Sequence, residues 1–480
     1  MVLPQDEWQS PLASRYASVE MRTLFSDRNR IGLWRRLWLA LAESEHELGL
    51  PITSEQIEEL KSTLDDIDFD KASAYEAELR HDVMAHVHAW GDVAPNARPI
   101  LHLGATSQFL NCNAEAIMLR DGLDQIAGAL ASVIDALGTF AQTHRAVPTL
   151  GSTHFQTAQP TTVGKRATVW CWDLCLALEE VERQRDGIRL RGVKGTTGTQ
   201  ASFLSLFDGD HDKVDHLERL VAERMGFSAE QLHPVTGQTY PRLVDAKVLG
   251  ALGIVAAACH KWATDVRLLA GRAEIEEPVA KKQIGSSAMP YKRNPMRCER
   301  ACGLARFVMN LVPNTYQTAA TQWLERTLDD SANRRLTLAE GFLATDATLG
   351  ILRNVAQGLI ANPAVCRTNL MREMPFLATE ALLMAAVRHG ADRQTTHEII
   401  RAHSREVQAE LRGGAATNDL LQRLQAEPAF AGVSMEEALD PEQHIGRAPE
   451  QVDRFIDQCL SPIRDRYASH IGKDVSDLAI

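Results

Sequence analysis

The apolar positions Leu110, Ala114, Ile117, Leu123, Ile126, Leu130, Val133, Leu137 and Phe140 recur mostly three or four residues apart, which predicts one long amphipathic helix. Val163, Ala167, Trp170, Leu174, Leu178 and Val181 repeat the pattern. The stretch 243 to 275 differs, because every position from Val248 to Cys259 is apolar or Gly. A helix with no face left for water belongs inside a bundle or inside an assembly of bundles. Met296 to Val312 and Ser331 to Ile360 complete a set of five long helices. No alternating strand pattern of useful length appears.

Shorter helical patterns flank this centre. "WRRLWLALAESEHELGL" reads as an amphipathic helix stopped by Gly49 and Pro51, since Gly supplies a C-cap and Pro blocks continuation. Asn362-Pro363 is a break, and the helix over 393 to 411 ends at Gly413-Gly414. The expected architecture is all-α in three parts: an N-terminal helical domain at 1–106, a central five-helix bundle at 107–361 and a C-terminal helical domain at 362–480.

Charge changes the picture at one place. The chain carries 51 Lys and Arg against 63 Asp and Glu, a net charge of -12, which disfavours a general nucleic-acid binder. Against that background "IGSSAMPYKRNPMRCER" and the residues just before it are basic: Lys281, Lys282, Lys292, Arg293, Arg297 and Arg300 stand against Glu299. The 8 cysteines form no Cys-x-x-Cys pair, a usage that suits a reducing compartment. The first residues lack a secretory apolar core. The uninterrupted apolar run of Val248 to Cys259 falls short of the roughly 20 residues that span a bilayer, so no membrane role is expected and the cytoplasm is the default location.

Four segments carry candidate chemistry. In the basic loop, Pro290 and Pro295 prevent continuous helix, and Asn294-Pro295 reads as an N-cap followed by the first helical residue, whose free N–H groups would join Lys292 in an anion site. "RHDVMAHVH" offers His81, His86 and His88. Zinc is a weak reading there, because on a helix His86 and His88 point about 200° apart. "STHFQTAQPTT" sets His154 among polar residues ahead of a helix beginning near Thr161. In "ERTLDDSANRR", Arg326, Ser331 and Arg335 are placed to converge on a phosphate near a helix start, with surface ion pairing to Asp329 and Asp330 as the plainer alternative. "RGVKGTTGTQ" lacks Gly-Lys-Ser/Thr and reads as an interhelical turn.

The loop "GSSAMPYKRNP" resembles the signature of the fumarase/aspartase superfamily. Its YKR interior, with "RHDVMAHVH", "THFQTAQPTTVGKR", "KGTTGTQASF", "TGQTY" and "ERTLDDSANRR", is similar to the adenylosuccinate lyases over nearly the whole chain. The resemblance implies β-elimination of fumarate from succinyl-AMP, and the same cut on the succinylaminoimidazole carboxamide ribotide of purine synthesis. It implies a homotetramer with active sites built from three subunits, and no cofactor or metal. By the same resemblance Ser286 is the general base and His154 the general acid, with His81 also catalytic. Lys292 and Asn294 sit where negative charge grows. Arg80 and Asp82 line the substrate site, Thr106 and Ser107 hold a succinyl carboxylate, and Gln238 lies near the leaving nitrogen. Arg15, Tyr16, Arg326, Ser331 and Arg335 bind the nucleotide, and Arg300 follows the signature helix start.

Three other readings compete. A sister lyase acting on argininosuccinate, aspartate or a carboxymuconate has no need of the phosphate set. A non-catalytic helical assembly protein would be expected to have lost His154, Ser286 or Lys292, and all three are present. A zinc hydrolase requires bound metal.

Overall fold

The computed structural model describes residues 6–280 and 282–472; Lys281 of the basic loop and the first five residues lie outside them. Among the described residues the chain forms 19 α-helices and two small two-stranded sheets. The elements used below are α1 (Asp27–Glu47), α2 (Phe69–Leu79), α3 (Asp82–Val93), α4 (Ser107–Thr143), β1 (Pro148–Thr153), β2 (Gln156–Thr162), α5 (Val163–Asp186), α6 (Leu243–Gly271), β3 (Ile275–Glu276), α7 (Met296–Ala320), α8 (Asp329–Gly358), β4 (Ile360–Ala361), α9 (Pro363–Leu377), α10 (Thr379–Arg388) and α11 (Arg393–Arg412).

Helices α4 to α8 are the five long ones, packed α4 on α5, α5 on α6, α6 on α7, and α8 against α4, α6 and α7. Their a- and d-like positions are closed to solvent: Leu123, Leu130, Trp170, Leu174, Leu252, Val255, Cys302, Phe342 and Leu352 are all buried. Burying each large apolar side chain stabilises the fold by about 1.5–3 kcal/mol, an upper estimate because the unfolded chain is already partly collapsed. α7 runs to Ala320, eight residues past its expected end at Val312, and carries Pro313 inside it.

α4 and α6 are long and apolar enough, by length and composition, to cross a membrane, although the unbroken apolar run in α6 is short; 67% and 50% of their most apolar windows are buried inside the protein. The outward face of α6 nevertheless keeps apolar residues, with Leu243, Ile254 and Leu268 exposed, and Phe307 and Tyr316 of α7 lie open as well.

Two hydrophobic clusters organise the chain. The larger joins the N-terminal helices, the five long helices and the last helices from Val452 to Tyr467. The smaller is built from α9, α10, α11 and the segment that follows, and it takes in Leu150 of β1.

The β1–β2 hairpin is the main departure from the helical expectation. Residues 148–162 pair antiparallel, with an irregularity between Thr149 and Gly151. Polar residues on both faces hid the alternation. α5 then starts at Val163, capped by Thr162, whose side chain accepts from the Lys165 N–H.

Candidate active site

One group of candidate residues gathers where α3, α4 and α8 begin. His81 is the N-cap of α3, so it stands ahead of the helix and shares no helical face with His88. Its Nδ1 accepts from the Met84 N–H (3.3 Å), which leaves the neutral ring's proton on Nε2, 3.3 Å from Ser107 Oγ. Thr106 is the N-cap residue of α4, and its side chain makes no capping bond. Asp82 Oδ2 accepts from Arg335 Nη2 (3.4 Å). Arg80 ends α2 in a left-handed conformation (φ 55°).

Arg326 reaches the same region from the loop before α8. Its Nη1 donates to Gln238 Oε1 (2.9 Å), while the Gln238 N–H donates to the Glu325 carbonyl (3.1 Å). The Gln108 oxygen, in the amide orientation its neighbours require, accepts from Arg326 Nη1 (2.8 Å) and Nη2 (3.2 Å). These partners are neutral, so the Arg326 charge is positioned without being cancelled. Arg326, Ser331 and Arg335 together line a cavity of about 230 Å³ with Gln108, Asn111 and Glu115.

The cavity floor is made of compensated charge. Arg242 Nε is 2.7 Å from Asp330 Oδ2, and Arg334 meets Asp245 (2.7 Å), Glu115 (2.9 Å) and the Tyr240 hydroxyl. Arg334 and Arg335 are sequence neighbours with opposite fates, one buried in ion pairs and the other 61% exposed at its side chain. Sequence reading missed Gln108, Arg242, Arg334 and Asp245, because nothing in a helical pattern separates a buried ion pair from a surface one.

The basic loop folds on itself. Ser286 Oγ accepts from the backbone N–H groups of Ala288 (3.3 Å) and Met289 (3.1 Å). Asn294 Nδ2 donates to the Gly285 carbonyl (2.8 Å), and the Lys292 N–H donates to the Met289 carbonyl (3.0 Å). A Cβ at Gly285 would lie 2.3 Å from the Lys292 carbonyl oxygen, so no side chain fits there. The Lys292 side chain is exposed.

The expectation of free N–H groups at the start of α7 is corrected by Glu277. Its carboxylate accepts from the Arg297 N–H (3.0 Å) and the Cys298 N–H (3.1 Å), while the Met296 and Glu299 N–H groups donate to Asn294 and Pro295 carbonyls. Pro295 is itself the N-cap residue, and Asn294 does not cap. The helix start already holds an internal anion, whose carboxyl burial pushes up against the pull of those N–H groups. Lys292 is therefore left as the loop's candidate for meeting charge on a substrate. Downstream, Arg300 Nη1 is buried without a hydrogen-bond partner among the described residues.

His154 lies elsewhere, at the tip of the hairpin. Thr153 pairs with Gln156, so His154 and Phe155 form a two-residue turn, at φ 53° and 58°. Both angles are those of a type I′ turn, which Asn and Gly prefer, and each non-Gly residue held there is strained by about 1–3 kcal/mol. His154 is exposed. Arg15 and Tyr16 sit in a turn of π-helix that packs on α8, with the Arg15 guanidinium 5.7 Å from the Tyr16 ring.

The remaining histidines of the "RHDVMAHVH" segment are structural. His86 packs edge-on to Trp34 and Phe69, and burial, then Arg35 and Arg30, lower its pKa to about 4. His88 stacks near Tyr75 and meets Arg98. Among the described residues no three His, Cys, Asp or Glu side chains are grouped to hold a metal ion.

Comparison with known proteins gives the family. The lyase family pattern matches residues 41–310, and the pattern described as "Adenylosuccinate lyase C-terminus" matches 375–455. The chain belongs to that lyase family. Within it the chain belongs with the adenylosuccinate lyases: it is 50% identical to the one from Saccharomyces cerevisiae over 98% of both chains, and 48% identical to the one from Schizosaccharomyces pombe over 98% of this chain and 99% of that one. The solved 3-carboxy-cis,cis-muconate lactonizing enzyme of Pseudomonas putida shares the fold with a TM-score of 0.82 at 25% identity, covering 96% of this chain and all of that one. A fumarate lyase from Mesorhizobium superposes with a TM-score of 0.79 over 92% of this chain and 99% of that chain, at 24% identity.

Proposed function

We propose that this chain releases fumarate from succinyl-AMP, leaving AMP, and makes the same cut on the succinylaminoimidazole carboxamide ribotide. The observation that carries the reading is Arg326, held by neutral acceptors beside Ser331 and Arg335 in one cavity. That is the provision a phosphate requires and a sister lyase acting on an unphosphorylated amino acid does not. Arg335 of the cavity is bonded to Asp82, beside the His81–Ser107 pair, where a succinyl carboxylate would meet hydroxyl and imidazole donors. On an acidic protein, these local groups overturn the global field that repels a substrate bearing two carboxylates and a phosphate.

The reaction removes a proton from the carbon next to a carboxylate and expels nitrogen from the neighbouring carbon. Ser286 is assigned as the base. A serine hydroxyl is a weak one, and the Ala288 and Met289 N–H groups on its Oγ favour the alkoxide by hydrogen-bonding the charged form. Lys292 stabilises the carbanion as charge spreads onto the carboxylate. His154 protonates the leaving nitrogen, a task suited to imidazole near neutral pH. His81, oriented by the Met84 N–H and Ser107, polarises the succinyl group from the other side. Arg15, Tyr16, Arg80, Thr106, Gln238, Asn294 and Arg300 complete the assigned substrate contacts.

The reading includes division of the chain at 106 and 361, and a homotetramer in which different subunits lend Ser286, His154 and the phosphate cavity. The exposed apolar residues of α6 and α7 support such an assembly. A fumarate-absorbance assay on succinyl-AMP, with and without Ser286→Ala, tests the function. Activity that survives in the variant removes Ser286 as base, and no fumarate from the parent protein removes the reading itself.

A further inference from the structure

The hairpin that carries His154 is bound at every level except its tip. At its root, Arg166 Nη2 donates to the Leu150 carbonyl (2.7 Å) and Thr149 Oγ1 donates to Glu274 Oε2 (3.4 Å). The Leu150 side chain is buried in the core formed by α9 to α11. Halfway along, Gln159 Nε2 donates to Glu380 Oε2 of α10 (3.1 Å). At the tip, His154 and Phe155 hold a left-handed conformation that their Cβ atoms disfavour, and Phe155 is exposed, so no core burial fixes it.

Arg272, the C-cap residue of α6, supplies the missing restraint. Its Nη1 donates to Ser152 Oγ on one strand (3.4 Å), and its guanidinium lies 4.8 Å from the Phe155 ring centroid at the turn. A planar cation over an aromatic face is attracted to it. The Arg272 backbone is anchored in turn, since its carbonyl accepts from Asn369 Nδ2 of α9 (3.3 Å). We infer that Arg272 is a positioning residue for catalysis, clasping Ser152 and Phe155 so that the strained tip presents His154 in one orientation. The inference rests on the reading of His154 as general acid.

A turn left to relax would move the imidazole, and misplacement by about 1 Å lowers turnover by about 10²-fold where geometry is critical. Arg272 itself takes no part in proton transfer, so its removal acts on kcat through His154 and leaves substrate affinity largely alone. Lysine keeps the charge without the flat fork, so it restores little. Phe155→Gly separates position from stability, because Gly favours the left-handed turn while removing the ring that Arg272 grips.

The experiment compares Arg272→Ala, Arg272→Lys, Phe155→Gly and His154→Ala, each by kcat and KM, by thermal melting and by hydrogen exchange of the peptide covering 148–162. Expected results are a loss in kcat of about tenfold or more for Arg272→Ala and Phe155→Gly with KM changed less than about twofold, an unchanged or higher Tm for Phe155→Gly, and faster exchange confined to the hairpin for Arg272→Ala. In the His154→Ala background, Arg272→Ala should lower kcat by less than about twofold more. Full activity of Arg272→Ala, unchanged hairpin exchange, or an equal loss in both backgrounds overturns the inference. If His154→Ala retains turnover, the general-acid reading fails instead, and hairpin exchange still decides whether Arg272 is the clasp.

Discussion

Ser286 and His154 are presented in opposite ways, and single substitutions expose the difference. Ser286 Oγ is fixed by two backbone N–H groups of its own loop, whereas His154 depends on a strained turn. Ser286→Ala and His154→Ala are each expected to lower turnover by about 10²–10⁴-fold, with circular dichroism and Tm unchanged; near-normal turnover in either variant removes its assigned role. Gly285 is a separate test of loop geometry, because a methyl at this position meets the Lys292 carbonyl. Gly285→Ala should therefore cut kcat by about 10²-fold through displaced chemistry rather than unfolding, with the melt again the control. A third prediction concerns Glu45, whose two carboxyl oxygens are buried without a hydrogen-bond partner among the described residues. Burial raises its pKa from 4.5 to about 9. The folded chain then holds a proton that the unfolded chain releases, so stability falls as pH rises from about 4.5 toward 9. Glu45→Gln removes that dependence, and its gain in Tm should be larger at pH 8.5 than at pH 5; equal gains at both would show that Glu45 is solvated.

At the scale of elements, α8 carries two neighbouring arginines that separate structure from binding. Arg334 balances the buried Asp245 and the half-buried Glu115, and Arg334→Met leaves the Asp245 charge inside the bundle without its cation. The expected destabilisation is about 3–5 kcal/mol, read as a lower midpoint in denaturant. Arg335→Ala should leave the midpoint unchanged and raise KM, and both Arg335→Ala and Arg326→Ala should spare any activity on a dephosphorylated substrate. An equal loss on both substrates argues against the phosphate assignment. The five long helices were legible in the sequence because each buries a stripe at helical spacing, and α6 announced itself by the unbroken apolar run from Val248 to Cys259. The hairpin was not legible. Its strands carry polar side chains on both faces, and what holds them is Leu150 in the C-terminal core together with Arg166, Arg272, Glu274 and Glu380, most of them distant in sequence. Arg326, Ser331 and Arg335, which line one cavity, were named from their motif, but the roles of Gln108 in orienting Arg326 and of Glu277 in occupying the start of α7 depend on tertiary contacts. A helix-start signal reveals that N–H groups need a partner, and a carboxylate 20 residues away supplied one.

For the whole molecule, the question is whether one protomer can perform the reaction that its residues suggest. The cavity of Arg326 and Arg335, the Ser286 loop and the His154 tip belong to different regions of the chain, and no hydrogen bond or ion pair among the described residues joins one of the three to another. Ile254 and Tyr316 line one open groove between α6 and α7, and in the proposed assembly that groove receives a helix of another subunit. A charge placed in that groove, Ile254→Glu, should break the assembly and abolish turnover together, as read by sedimentation and by the fumarate assay; a monomer with full activity would end the shared-site proposal. A stronger test needs no disruption of the interface. Ser286→Ala and His154→Ala chains are each inactive in the proposed mechanism, and co-expression scrambles them into mixed tetramers. If each site draws Ser286 and His154 from different subunits, about a quarter of the sites in a random equal mixture receive both native residues, and about that fraction of parent activity returns. If one subunit supplies both residues, no site in the mixture is whole and activity stays at the level of the two variants. The two outcomes are well separated, because each variant alone lies at least about two decades below the parent.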